Sequence, residues 1–121
     1  MKILVAEDEP IMLKTIDLRL KKDGHEVFLA EDGRMALEKI ASLSPDLIIT
    51  DIMMPYASGL EIIGFVRKDQ DKKTPIIILS AMGQEDVVLE AFKLGADDYI
   101  TKPFSPNELS VRVNRLINRQ Q

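Results

Sequence analysis

Three stretches most restrict what this chain can fold into: KILVA (Lys2–Ala6), LIIT (residues 47–50) and IIILS (Ile76–Ser80). Each is apolar almost throughout instead of alternating apolar with polar, the pattern of a strand buried on both faces. Such strands need a parallel sheet covered on two sides. VFLA (27–30) and YIT (99–101) are shorter and less uniformly apolar, which suits peripheral strands and brings the count to five.

The segments between them carry a helical period. Leu13, Ile16 and Leu20 recur at three and four residues; Met35, Leu37 and Ile40 follow Gly33; Leu60, Ile63 and Val66 follow Gly59; Val88, Leu89 and Phe92 precede Gly95; Leu109, Val113 and Leu116 close the chain. Pro10 fits a first helical turn, Gly24 and Gly95 fit positions just past helix ends, and Ser105-Pro106 followed by Glu108 fits an N-cap with a capping box. Strand and helix alternate five times with no repeat or linker, so residues 1–121 read as one α/β domain of (βα)5 type. A chain of 121 residues buries roughly two-thirds of its unfolded surface, enough for a core without staples.

Composition removes several functions. With no cysteine there is no disulfide framework, thiolate metal site or cysteine nucleophile, and the chain suits a reducing cytoplasm. A net charge of −4 argues against direct nucleic-acid binding. The first apolar run ends at Ala6, too short for a signal peptide or a membrane span.

Ligands of open parallel sheets bind beyond the carboxyl ends of the strands. There the sequence sets Glu7, Asp8 and Glu9 after the first run, Asp51 after the third, Ser80 and Ala81 at the fourth and Lys102 after the fifth. Carboxylates crowded without a counter-charge repel one another, so the group is expected to hold a cation or to do acid/base work. Oxygen-only ligands favour a hard ion, and a Mg2+ site at Asp8 and Asp51 is the physical expectation. Lys102, the second positive charge, would meet an anion beside the metal, and a cis bond to Pro103 would fix its direction. A strand-terminal Asp8 serves as readily as the N-cap of the next helix. For Asp51 that role is disfavoured, because Pro55 in TDIMMPYASG delays the helix.

The acidic pair Glu7-Asp8, DIMMP headed by Asp51, LSA (79–81) and GADDYITKPF (95–104), in this order and spacing, resemble the receiver domain of bacterial two-component response regulators. The resemblance covers essentially the whole chain. It implies a doubly wound, flavodoxin-like sheet in strand order 2-1-3-4-5, an arrangement the receiver proteins themselves illustrate. It implies that Asp51 is the phosphoacceptor for a sensor histidine kinase, that Glu7, Asp8, Asp51 and the carbonyl of Met53 hold Mg2+, and that Ser80 and Lys102 contact phosphoryl oxygens. Ser80 and Tyr99 correspond to the switch pair, and the surface of the fourth helix, fifth strand and fifth helix to the one that governs an output domain or a phosphorylation-dependent homodimer. DDYITKPFSP leans toward the receiver of a longer winged-helix transcription regulator.

Two features individualise the chain. Met53 and Met82, two residues beyond Asp51 and Ser80, can neither position a water nor transfer a proton, so slow loss of the phosphoryl group is expected. Arg112, Arg115 and Arg119 share a face of the last helix and suggest a protein interface; with Asp98 and Glu108 they resemble part of a dimer ion-pair set in which Val88 and Leu94 replace charges. His25 reads as a surface residue. An aspartate-nucleophile phosphatase is disfavoured because Met53 stands where its second acid would be. The other alternative is an interaction module that works without phosphorylation.

Overall fold

Strand and helix alternate as β1 (Lys2–Ala6), α1 (Pro10–Lys22), β2 (Glu26–Ala30), α2 (Gly33–Leu43), β3 (Leu47–Asp51), α3 (Gly59–Asp69), β4 (Ile76–Ser80), α4 (Glu85–Leu94), β5 (Asp98–Thr101) and α5 (Pro106–Arg119). The structure, a computed structural model, describes residues 1–69 and 73–119; Gln120 and Gln121, the end of the expected domain, lie outside them. All strand pairs are parallel and the sheet runs β2-β1-β3-β4-β5, the order expected.

The uniformly apolar strands serve two cores, because successive side chains leave a strand on opposite faces. Ile3, Val5, Leu47, Ile49, Ile77 and Leu79 meet Leu13, Ile16 and Leu20 of α1 and Leu109, Val113 and Leu116 of α5. Leu4, Ala6, Ile48, Ile76 and Ile78 meet α2, α3 and α4 through Ala36, Ile40, Ile62, Ile63, Val66, Val88 and Ala91. Helices α1 and α5 therefore cover one face and α2 to α4 the other.

The punctuation behaves as its chemistry requires. Glu9, not Asp8, caps α1, its carboxylate accepting the N–H groups of Ile11 and Met12 at 3.2 and 2.7 Å, with Pro10 opening the helix. Ser105 caps α5 by accepting the Glu108 N–H at 3.1 Å, while the Glu108 carboxylate turns to Arg112 at 3.5 Å. Gly95 ends α4 at φ 119°, a left-handed conformation that side chains resist. Arg67 of α3 ties the far end of the sheet together. Its guanidinium donates to Gly95 O at 2.8 Å and Thr74 O at 2.7 Å and pairs with Asp97 at 3.0 Å, and Asp97 in turn accepts the Ile76 N–H at 2.8 Å.

Some boundaries and faces differ from the sequence reading. Asp51 is the last residue of β3 rather than the first beyond it, β2 begins at Glu26, and β5 begins at Asp98. On α4 the core row is Val88 and Ala91, and Leu89 and Phe92 are 61% and 38% exposed. Only one row of this ten-residue helix faces the sheet, and Leu89 and Phe92 lie on the neighbouring row. On α2 the fully buried residues are Ala36 and Ile40, with Met35 and Leu37 at the flanks.

Candidate functional site

Parallel pairing brings the carboxyl ends of the strands to one edge. Ala6 pairs with Thr50, Asp51 with Leu79 and Ser80 with Thr101, so the residues at and after these positions lie at similar height. Past β5 the Lys102 N–H donates to Ser80 O at 2.7 Å, continuing the ladder, and the Lys102-Pro103 bond is cis. The Lys102 ammonium lies 2.8 Å from Asp51 Oδ2 and 2.5 Å from Glu7 Oε1. The target of the lysine is therefore a pair of acids from two other strands.

Glu7 is fully buried, and its second oxygen accepts the Glu9 N–H at 3.1 Å. Burial pushes its carboxyl up to about 7; Lys102 and the Glu9 N–H pull the other way, and the Asp51 charge adds to the rise. Burial also works against the Lys102 charge, but its bonds to Asp51 and Glu7 outweigh that and hold its pKa above the usual lysine value. The cation stays a cation.

Glu7, Asp8 and Asp51 each present a carboxylate oxygen within 4.8 Å of the other two. Opposite ligands of one Mg2+ sit about 4.2 Å apart, and a set of hard oxygens with one exposed member leaves room for the waters that Mg2+ retains. The residues fit that ion. Asp8 is exposed and spared from capping by Glu9, so its carboxylate is left facing this cluster. Met53 reaches the site through its backbone, its N–H donating to Asp51 Oδ1 at 3.4 Å.

Ser80 is 2% exposed at the end of β4. Tyr99, 40% exposed, points outward and meets Phe92 edge to face at 5.8 Å between ring centres. Between them lies a groove of about 500 Å³ lined by Ser80, Met82, Gln84, Val88, Phe92 and Tyr99. Met53 and Met82 are 56% and 81% exposed.

Two contributors escaped the reading of motifs. Gly33 and Gly59, treated there as helix starts, are close contacts of the loop that follows Asp51. A side-chain carbon on Gly33 would come within 1.9 Å of Ala57 O, and one on Gly59 within 2.6 Å of Asp51 O. A glycine opening a helix, where almost any other residue is a better helix former, was the available signal.

Within the basic stripe, Arg112 and Arg115 reach the buried Asp98 of their own chain at 2.9 and 3.5 Å, and Val88 packs into the core. His25 is half-buried at the opposite end of β2 from the site.

A five-stranded, doubly wound parallel sheet with an acidic edge and a lysine among its acids is a flavodoxin-like module. The chain belongs to the response regulator receiver domain family, whose model matches residues 3–114. It is 39% identical over 120 residues to the alkaline phosphatase synthesis transcriptional regulatory protein PhoP of Bacillus subtilis, covering 99% of this chain and 50% of that protein. Among solved structures it is similar to the Francisella response regulator 1452 receiver domain, with 41% identity, a TM-score of 0.89 and coverage of 99% and 98% of the two chains. The chemotaxis response regulator CheY4 of Vibrio cholerae gives 34% identity and a TM-score of 0.88 over 95% and 97%. The chain spans about half the length of the curated relatives it matches. Receiver domains of this family are signalling modules of two-component systems; they use Mg2+ at an acidic site and work with a histidine kinase and an output domain. Among the described residues no helix is long and apolar enough to cross a membrane.

Proposed function

We propose that residues 1–121 act as one cytoplasmic phosphoacceptor domain, in which Asp51 takes a phosphoryl group from a phosphorylated histidine of a sensor kinase. The observation that carries this reading is the Lys102 ammonium at 2.8 Å from Asp51 Oδ2, a fixed positive charge beside the carboxylate that ends β3. An Asp51 carboxylate oxygen forms the new O–P bond as the P–N bond of the phosphohistidine breaks, its electron pair leaving with the imidazole. Charge spreads over three phosphoryl oxygens in such a transfer, so positioning and neutralisation dominate the catalysis. Lys102 turns from the Asp51 carboxylate to one of those oxygens, and the Ser80 hydroxyl donates to another. Mg2+, held by Glu7, Asp8, Asp51 and the Met53 carbonyl, supplies the remaining neutralisation when bound.

Turnover is self-directed: the domain promotes its own phosphorylation and slow dephosphorylation, with neither Met53 nor Met82 able to orient a water. The output is a change of surface. Drawing the Ser80 hydroxyl toward the phosphoryl group opens space for Tyr99 to leave Phe92 and turn inward, which alters the α4-β5-α5 face. That face then engages an output domain, a partner protein or a second copy of the chain. A regulator of transcription is the reading supported by the relatives.

The test is the intact mass after incubation with acetyl phosphate, with and without Mg2+, for the native chain and Asp51→Asn. A Mg2+-dependent gain of one phosphoryl group that the variant lacks supports the assignment. A gain in Asp51→Asn, or none in the native chain, overturns it.

A further inference from the structure

The loop from β4 to α4 contains a hydrogen bond that neither the sheet nor the helix requires. Gln84 is the N-cap residue of α4, yet its side chain makes no bond to the helix N–H groups. It reaches back three residues, and its Oε1 accepts the Ala81 N–H at 2.6 Å. Gly83, at φ 91°, supplies the turn between them. The helix start thus relies on Glu85 and Asp86 in its first turn for electrostatic support.

The direction of the Ala81 N–H follows from the ladder. Backbone groups of successive strand residues address opposite neighbours. Leu79 O accepts from Ile52 on the β3 side, and Ser80 O accepts from Lys102 on the β5 side. Ala81 shares the parity of Leu79, so its N–H is the next donor on the β3 side, the side that ends in Asp51. The ladder acceptor at that height, Ile52 O, is already taken by the Gly59 N–H at 2.9 Å. A donor at a sheet edge needs an acceptor, and here the Gln84 amide oxygen is that acceptor.

We propose that Gln84 is a latch on this donor: its side-chain oxygen holds the Ala81 N–H until a phosphoryl oxygen on Asp51 competes for it, and the release of Gln84 frees the start of α4. The inference rests on Asp51 being the phosphoacceptor and adds the residue that opposes the modified state. A ligand shifts a two-state equilibrium only through its difference in affinity for the two states, and here the phosphoryl group must displace one hydrogen bond to gain its own. Removing the competitor makes that step easier by the worth of one hydrogen bond, roughly three- to tenfold.

The test uses the native chain, Gln84→Ala and Gln84→Glu, with beryllofluoride and Mg2+ as the probe of the modified state and amide NMR as the readout. In the unmodified protein the Ala81 amide should exchange with solvent severalfold faster in Gln84→Ala than in the native chain, with the Ile77 amide of β4 as the internal control. Half-saturation by beryllofluoride should fall roughly three- to tenfold in Gln84→Ala. Gln84→Glu keeps an acceptor and adds a charge that repels the probe, so it should retain Ala81 protection and raise half-saturation above native. A merely structural role would shift both variants the same way, and that result, or unchanged Ala81 exchange in Gln84→Ala, overturns the latch. Asp51→Asn separates the two readings. If it responds to the probe as the native chain does, the phosphoacceptor assignment falls and the competition with it, whereas a latch failure leaves the native response dependent on Asp51.

Discussion

Lys102 and Asp51, fifty-one residues apart in the chain, meet at 2.8 Å, and the same ammonium lies 2.5 Å from Glu7. One cation thus holds two acids together, one of them fully buried. Lys102→Met leaves both acids without it. The Glu7 carboxyl should rise further, since Lys102 is what pulls it down. We expect the variant to lose about 1–3 kcal/mol in urea unfolding without metal, a figure kept low because the lysine is partly solvated. It should bind Mg2+ severalfold more tightly by calorimetry, because an ammonium no longer competes for the carboxylates. Weaker Mg2+ binding would contradict this account.

Asp8 is the exposed member of the acidic group and caps nothing. Asp8→Asn should therefore change metal-free stability by no more than about 0.5 kcal/mol. The native chain should gain about 2.7 kcal/mol at a Mg2+ concentration one hundred times its Kd. In the variant that gain should vanish over the same range. Thermal melts at several Mg2+ concentrations check both halves.

Gly33 touches the loop carrying Met53 to Ala57, its N–H donating to Pro55 O at 3.1 Å. Gly33→Ala drives a carbon to 1.9 Å from the Ala57 carbonyl oxygen, so backbone must move. A loss of about 3 kcal/mol is expected, at the upper end for overpacking. The amide signals of residues 52–58 should shift more than those of β5. An undisturbed loop would show that α2 gives way instead.

Arg67 supplies bonds to Gly95 O and Thr74 O and a charge partner to Asp97. Arg67→Ala strands these acceptors in partly buried positions and should cost about 2–4 kcal/mol in urea unfolding. Arg67→Lys should recover little, since a single ammonium cannot span the fork of contacts. Phosphorylation chemistry should persist, because the clamp sits at the opposite end of the sheet from Asp51.

His25 is the one histidine, so its ring signals are unambiguous. Burial holds its pKa below the ordinary 6.5; the positive chain terminus adds to the depression, and Asp23 opposes it. An NMR titration should give a midpoint below 6.5, moved lower still in Asp23→Asn. In the window between that midpoint and 6.5 the unfolded chain binds more protons than the folded one. The His25 contribution to stability therefore rises as pH climbs through this window and is constant above it. A midpoint above 6.5 would mean that the attraction of Asp23 for the imidazolium outweighs burial and the chain terminus.

The alternation of strand and helix, the two-faced core and the edge that carries Asp8, Asp51, Ser80 and Lys102 were legible in the sequence, because they follow from local patterns: apolar runs, helical periods and the residues at strand ends; the strand order came only with the family resemblance. The faces of short edge elements were not. Leu89 and Phe92 satisfy a helical period as well as Val88 does, and only packing against β4 decides which row of α4 is covered. Asp98 and its arginines read equally well as an interface set, and their pairing within one chain depends on where α5 docks beside β5. The clasp of Gly33 on Ala57 and the reach of Gln84 to Ala81 depend on backbone separations that no residue pattern encodes. Types of element come from periodicity along the chain, whereas contacts across it are set by the distances at which those elements finally pack.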